Sequence, residues 1–472
     1  MRARGQGLLT LLVVGAVALG AVSFERLGAR EPSGPVPGTA DSFIWLCPHG
    51  GGSAYEGTVF LANPGEDDVL VRVTELRLRG SASSSQVTVP ARTQVSLEVD
   101  ASRRSSSTFV EAFGGWVAAG WLIRGAEEEL GIGAEPCSAD AGTDLVSAAA
   151  TTGEGDQTYL VVMNPFASDA VFDVALLTAD RAPVRDSELT DVTLQPGASQ
   201  AVRLNAFAQG EQGLAVTIDV SSGKLAASTL VVSDGRGIGS VIASSAPSDR
   251  RLMLTSTGSG RSMLAVAVPT VTGESDADQP GDAAIGSTFA ATLRSAGAPQ
   301  PAGGLAEQTQ APESAAQYAV TTTGPSAVDV VVQDGAPIAA ALRTAGVGKD
   351  GGATAGTVAP ATSWVVTPTV AGAPARPGLL VLNAGRSQAT VGVSSIPREG
   401  DGSADTAITV PPGSVAEVPR EFLDTVGDAA LLVTSSGEPV VVLGASMSLG
   451  NEGRALFGLA AGVPIPGRET TT

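Results

Sequence analysis

Apolar residues occupy every second position in short runs along most of this chain, and glycine, proline or a small polar cluster separates one run from the next. That spacing predicts half-buried β-strands joined by tight turns rather than helices. The clearest case is Leu214 to Val220, where Leu214, Val216, Ile218 and Val220 share one face. A longer period lies above the alternation. Extended runs that open on proline recur four times, at Pro90, Pro196, Pro312 and Pro411. Each is followed by a second apolar run behind a glycine-containing turn, at Gly114, Ser222, Asp334 and Ser436. The copies start roughly 100 to 116 residues apart, which marks an internal repeat.

Four units follow: residues 41–136, 137–247, 248–360 and 361–461, with a tail over 462–472 that is polar from Glu469 to Thr472. The first cuts into eight runs, FIWLCP, TVFLANPG, LVRVTELRL, QVTVP, TQVSLEV, STFVEAF, WVAAGWLIR and LGIGAEPC. Asparagine and proline close the second run at Asn63-Pro64, and again at Asn164-Pro165 in the next unit; Asn383-Ala384 stands there in the fourth. The third unit reads as degenerate. MLAVAVPT (263–270) is taken as its leading strand, and low-complexity stretches at 272–287 and 296–314 replace the asparagine strand and bury little. Eight strands in about 105 residues fit an all-β chain of tandem antiparallel β-sandwich modules of immunoglobulin-like size. A β-propeller with two blades per repeat is the alternative.

The leader is of another kind. Arg2 and Arg4 precede an uncharged stretch from Gly7 to Phe24. Residues 1–30 are expected to form a signal-anchor helix and its flanks, with the membrane crossed through 7–24, and 31–40 a Pro/Gly spacer. Secretion after signal cleavage is the alternative. Either way the repeats lie outside the cytoplasm. The two cysteines, Cys47 and Cys137, stand at the two ends of the first unit, and in that compartment they are expected to form a disulfide.

Composition narrows the function by exclusion. A formal net charge of −20 argues against nucleic acid as a partner. The single histidine, His49, lies in PHGGG (48–52) with no nucleophile motif anywhere to serve, so it is read as an exposed turn residue. That glycine turn lacks the lysine of a phosphate loop. The acidic clusters at Glu66 to Asp68, Glu127 to Glu129 and Glu274 to Asp282 lack the ligand order of a calcium loop and are read as solvated turns. No catalytic residue, cofactor site or metal site is expected. Among the tryptophans, Trp45 and Trp364 hold equivalent positions and are read as core. Trp116 stands where other units carry turn residues, and with Trp121 it is a candidate interaction patch.

Trp45 with Cys47 and Pro48, Asn63-Pro64, the proline-led strand at Pro90 and the late strand at Gly437 to Val440 together resemble an actinobacterial family of exported proteins known only as a domain of unknown function. The resemblance implies an extracytoplasmic location and no particular activity. The expected role is non-enzymatic: a membrane-anchored structural or interaction protein of the cell envelope, its partner an envelope protein or polysaccharide. A carbohydrate-binding accessory protein is the alternative.

Overall fold

Each proline anchor turns out to lie in a tight turn with a residue of positive φ, and the turn feeds a strand. In Gln195-Pro196-Gly197-Ala198 the amide of Ala198 returns to the carbonyl of Gln195 at 3.2 Å, and Gly197 has φ 66°. Gly413 repeats this at φ 67°, while Arg92 and Glu313 adopt it at 56° and 51° without being glycine. The second landmark is as regular: Gly114, Gly223, Gly335 and Gly437, which open the later apolar run, all have positive φ.

In the computed structural model the described residues are 42–125, 131–233, 237–256, 259–270, 285–297, 299–344, 352–369, 376–449 and 455–466. The expected anchor over 7–24 and the spacer lie outside them. Among the described residues no helix is long and apolar enough to cross a membrane.

The first unit contains β1 (Ser42–Cys47), β2 (Tyr55–Ala62), β3 (Val69–Arg77), β4 (Gly80–Val89), β5 (Gln94–Val99), β6 (Ser107–Phe113), β7 (Ala118–Gly125) and β8 (Ile132–Pro136). The second runs β9 (Asp144–Ala150), β10 (Asp156–Asn164), β11 (Ala170–Leu177), β12 (Val192–Leu194), β13 (Ala198–Arg203), β14 (Leu214–Ser222), β15 (Ala226–Ser233) and β16 (Gly237–Ala243). The third has β17 (Arg251–Ser256), β18 (Ser259–Val268), β19 (Ser287–Arg294), the short pair β20 (Gln300–Pro301) and β21 (Gln308–Gln310), β22 (Ser314–Thr323), β23 (Ser326–Gly335), β24 (Ala339–Thr344) and β25 (Gly352–Ala355). The fourth has β26 (Ser363–Val366), β27 (Arg376–Asn383), β28 (Ala389–Ile396), β29 (Asp405–Val410), β30 (Ser414–Glu417), α1 (Arg420–Val426), β31 (Ala430–Ser436), β32 (Val441–Leu449), β33 (Ala455–Ala461) and β34 (Val463–Pro464).

One connectivity serves all four units. Strands in the order fourth-third-sixth-first make one antiparallel sheet, and fifth-second-seventh-eighth make the other. In the second unit Leu160, Val162, Phe172, Val174, Leu214, Val216 and Ile218 from both sheets pack into one buried core. The expected alternation over 214–220 is present, with Asp219 facing out between buried neighbours. A propeller blade would group consecutive strands in one sheet, which these units do not. Nor is the strand order that of an immunoglobulin domain, in which the first two strands pair. Here they lie in opposite sheets.

The third unit corrects two expectations. MLAVAVPT belongs to the second strand, β18, because β17 precedes it and pairs with β23 in the first-strand position. Val268-Pro269 therefore stands where Asn164-Pro165 stands. The stretch at 296–314 is also structured: β20 and β21 pair with β19 and fill the fourth-strand position. Residues 271–284 lie outside the described residues.

The units close on one another. At each junction the start of a fifth strand meets the end of the preceding unit's third strand: Ala198 bridges Arg77, Ala315 N–H donates to Thr178 O at 3.2 Å, and Val415 N–H to Ser295 O at 3.3 Å. The fourth such contact joins last to first, Gln94 N–H donating to Pro397 O at 2.9 Å. Buried Gln94 reinforces it, its side chain donating to Asp428 O at 2.8 Å and accepting from Ala430 N–H at 2.7 Å. The eighth strands β8, β16, β25 and β33 contact one another in cyclic order around the middle of this ring. After each eighth strand the chain crosses back to its own first strand, pairing Leu46 with Ser138, Val146 with Ser245 and Met253 with Thr357, and in the fourth unit β34 with β26.

Candidate functional site

His49 is buried, 1% exposed, which corrects its reading as an exposed turn residue. The PHGGG turn folds inward because unit two packs on it. Ser228 Oγ donates to Pro48 O, and a Cβ on Gly51 would stand 2.0 Å from Ala101 O, a space that admits only glycine. His49 Nδ1 lies 2.8 Å from Gly50 O and Nε2 3.0 Å from Thr108 Oγ1. A carbonyl only accepts, so Nδ1 carries the proton and Nε2 accepts from the threonine. Burial pulls the pKa down to about 4, and the ring is neutral. Both nitrogens are occupied by structural partners, a carbonyl and a hydroxyl, and among the described residues neither bonds a carboxylate that would orient a base.

Cys47 and Cys137 are bonded, closing the first unit on itself. Trp45 and Trp364 are core residues, as expected. Trp121 is also core, 2% exposed and 5.9 Å from the His49 ring, so it does not form a surface patch with Trp116. Its position on β7 points it between the sheets. Trp116 instead stacks edge-on against Trp45, at 5.9 Å, and lines a groove of about 540 Å3 with Phe43, Ile44 and Pro136 on one wall and Val463, Pro464 and Pro466 on the other. This groove lies where the first and fourth units meet.

A second cleft, of about 430 Å3, lies at the junction of the second and third units. The register places Asp219 of β14 directly opposite Asp173 of β11 and Asp144 of β9, so three carboxylates stand in a row on three adjacent strands. Like charges placed this way repel. Burial, and then the fields of Asp144 and Asp173, push the Asp219 pKa up. Thr143 Oγ1 donates to Asp144 at 2.8 Å and the Asp191 amide to Asp173 at 2.6 Å. Thr190, Thr217, Thr270 and three prolines, Pro247, Pro269 and Pro337, also line it, as does Arg185, whose guanidinium is paired with Glu313. Adjacent strands are about 4.8 Å apart, so the row spans nearly 10 Å, too long for three carboxylates to share one ion. Among the described residues no group of three or more His, Cys, Asp or Glu is arranged to hold a metal. The row was invisible in the sequence. Each aspartate occupies an ordinary polar position of an alternating strand, and only the register brings the three together.

The remaining charge clusters are structural. Asp329, 2% exposed, takes paired hydrogen bonds from Arg251 at 2.5 and 2.6 Å and from Arg294 at 2.9 and 2.6 Å, tying β17, β23 and β19 together. Burial pushes its pKa up, but the two guanidiniums outweigh burial and hold it low. Among the expected solvated acidic turns, Glu66 to Asp68 is exposed throughout, with Glu66 paired to Arg92. The clusters at 127–129 and 274–282 lie outside the described residues.

The architecture defines an all-β protein of four matching two-sheet units, with open clefts at two unit junctions. The chain belongs to the DUF5719 family, a family of unknown function, which it matches over residues 115–419. Trp45, Cys47, Asn63, Pro90 and the Gly437–Val440 stretch, the basis of the resemblance noted above, lie outside that span. No curated protein matches the chain.

Proposed function

We propose that this protein is a non-enzymatic structural or interaction component of the cell envelope, exported, held to the membrane by residues 7–24, and presenting its ring of units to a protein partner. The observation that carries this reading is the row Asp144–Asp219–Asp173 in the junction cleft. Three like charges on adjacent strands cost stability where they stand, and Arg185, the cation in the lining, is paired with Glu313. The shared charge of the three carboxylates suits a basic segment of a partner, with the prolines and threonines lining the rest of the path. Crosslinking in intact cells tests it. The captured peptide should carry lysine or arginine and crosslink to the walls of this cleft, and Asp144→Asn/Asp173→Asn/Asp219→Asn should abolish capture. Undiminished capture by the triple variant would remove the basis of the reading.

One observation favours the alternative, a carbohydrate-binding accessory protein: Trp116 presents an aromatic face to the other groove. On that reading, binding to isolated envelope polysaccharide falls with Trp116→Ala and is indifferent to the three aspartates.

A further inference from the structure

The four units are near-copies, so each shows what the others leave uncovered. In the fourth unit the outer edge of the first strand, β26, is covered by the chain's own extended segment. Val463 and Pro464 of β34 pair with Val365 and Trp364, and Ile465 N–H donates to Ser363 O at 3.0 Å. In the first unit the equivalent cover stops short. Leu46 exchanges both backbone hydrogen bonds with Ser138, at 2.8 and 2.9 Å, and the chain then turns away as Ser138 Oγ donates to Asp140 O at 2.7 Å. Hydrogen-bonding direction alternates along a strand, so Ile44 and Ser42 point their backbone N–H and C=O the same way as Leu46, away from β6. Among the described residues nothing pairs with them: β1 is an edge strand.

That open edge runs along the groove between the first and fourth units. The walls are apolar and aromatic, with Phe43, Trp45 and Trp116 facing Val463, Pro464 and Pro466, and the space of about 540 Å3 admits a few residues of extended chain. The indole N–H of Trp45 differs from its counterpart in the same sense. Trp364 Nε1 donates to Ala361 O at 3.1 Å and to Val440 O at 2.9 Å, both on extended backbone, whereas buried Trp45 Nε1 has no hydrogen-bond partner among the described residues.

We infer that this groove is a strand-addition site, in which an extended, proline-containing apolar segment of a partner protein pairs with the outward edge of β1 at Ser42 and Ile44. The fourth unit supplies the template for the occupant, a Val-Pro-Ile-Pro segment lying on the equivalent edge. Backbone pairing gives the affinity, and the tryptophan and proline walls select small apolar and proline side chains. The inference stands independently of the acidic cleft, which lies at another junction.

The probe is a fluorescent heptapeptide with the sequence of residues 461–467, Ala-Gly-Val-Pro-Ile-Pro-Gly, titrated into the full chain in detergent and followed by anisotropy. Saturable binding is expected. N-methylating the probe's valine or isoleucine amide, which leaves the protein untouched, should weaken it about tenfold in the register that uses that amide. Ile44→Pro removes one outward N–H at an edge position that tolerates proline, and should weaken binding by a similar factor. Asp144→Asn/Asp173→Asn/Asp219→Asn should leave binding unchanged. Binding indifferent to N-methylation at both amides and to Ile44→Pro would overturn the inference, because the edge is then unused. Absence of saturable binding at millimolar probe would also overturn it.

Discussion

Replacing Asn164 by alanine tests the joint that recurs in three units. The asparagine ends the second strand and is fully buried. Its amide donates to Ser168 O at 2.8 Å, closing the turn, and to Leu194 O at 3.0 Å, at the end of the fourth strand in the opposite sheet, while its carbonyl accepts from Phe166 N–H at 3.1 Å. Asn63 repeats the pattern with Asp67 O, Val89 O and Gly65 N–H, and Asn383 with Ser387 O, Val410 O and Gly385 N–H. Alanine deletes three hydrogen bonds worth about 1 kcal/mol each and strands a buried carbonyl at Leu194, which costs a further ~1–2 kcal/mol. The expected loss is therefore about 4–5 kcal/mol, and it should be local. Native-state hydrogen exchange is the assay, since it reads opening free energies segment by segment. Protection should fall across β10 and β13 and persist in β27 and β32. Asn164→Asp should cost nearly as much, because it keeps the acceptor and loses both donor bonds. A loss below about 1 kcal/mol at Asn164 and Asn383 alike would refute the reasoning, for the asparagine would then be a turn former and not a clamp between sheets.

Three further outcomes are expected. Gln94→Ala strands Asp428 O and Ala430 N–H at the joint between last and first units, and should lower the opening free energy of 397–430 by about 2–5 kcal/mol, read by hydrogen exchange. His49 has a folded pKa of about 4 against 6.5 unfolded, so its neutral form stabilises the fold fully above pH 6.5. That contribution, about 3 kcal/mol, is lost as pH falls from 6.5 to 4, and His49→Asn should flatten the urea-denaturation profile over that window. Cys47→Ser/Cys137→Ser removes a cross-link across a sequence separation of 90 residues and should cost about 4–5 kcal/mol on the chain-entropy model, measured by urea denaturation against the oxidised protein.

Much of the fold was legible because its repeated features are local. Proline in a tight turn with a residue of positive φ, and glycine at the later turn, are local backbone features within a few residues, so they recur at readable positions. The third unit was misaligned by one strand because Val268 replaces the asparagine that marked the second strand elsewhere. There Gln310, from the fourth-strand position, supplies the amide, donating to Val266 O and Ser314 O at 3.1 Å each. Strand count alone could not choose a connectivity, since the same eight runs can be wired in several ways. Burial of His49 and Trp121 depends on a neighbouring unit lying against the first: Gly50 faces Leu230 and Val161 of the second. Ring closure was the least legible feature, for Gln94 and its carbonyl partner are 334 residues apart and nothing in either segment announces the other. Both clefts belong to the same class of hidden feature. One needs a register across three strands, the other an encounter between residues at opposite ends of the chain.

Because every unit leans on the next through the same joint, and the last meets the first, the turn from one copy to its neighbour must be close to a quarter of a circle. Open arrays can lengthen or shorten by single copies with little penalty, since only a cap has to move. Here a lineage that lost one copy, or gained a fifth, would be left with two raw faces that no longer meet. Copy number is thus fixed by rotation.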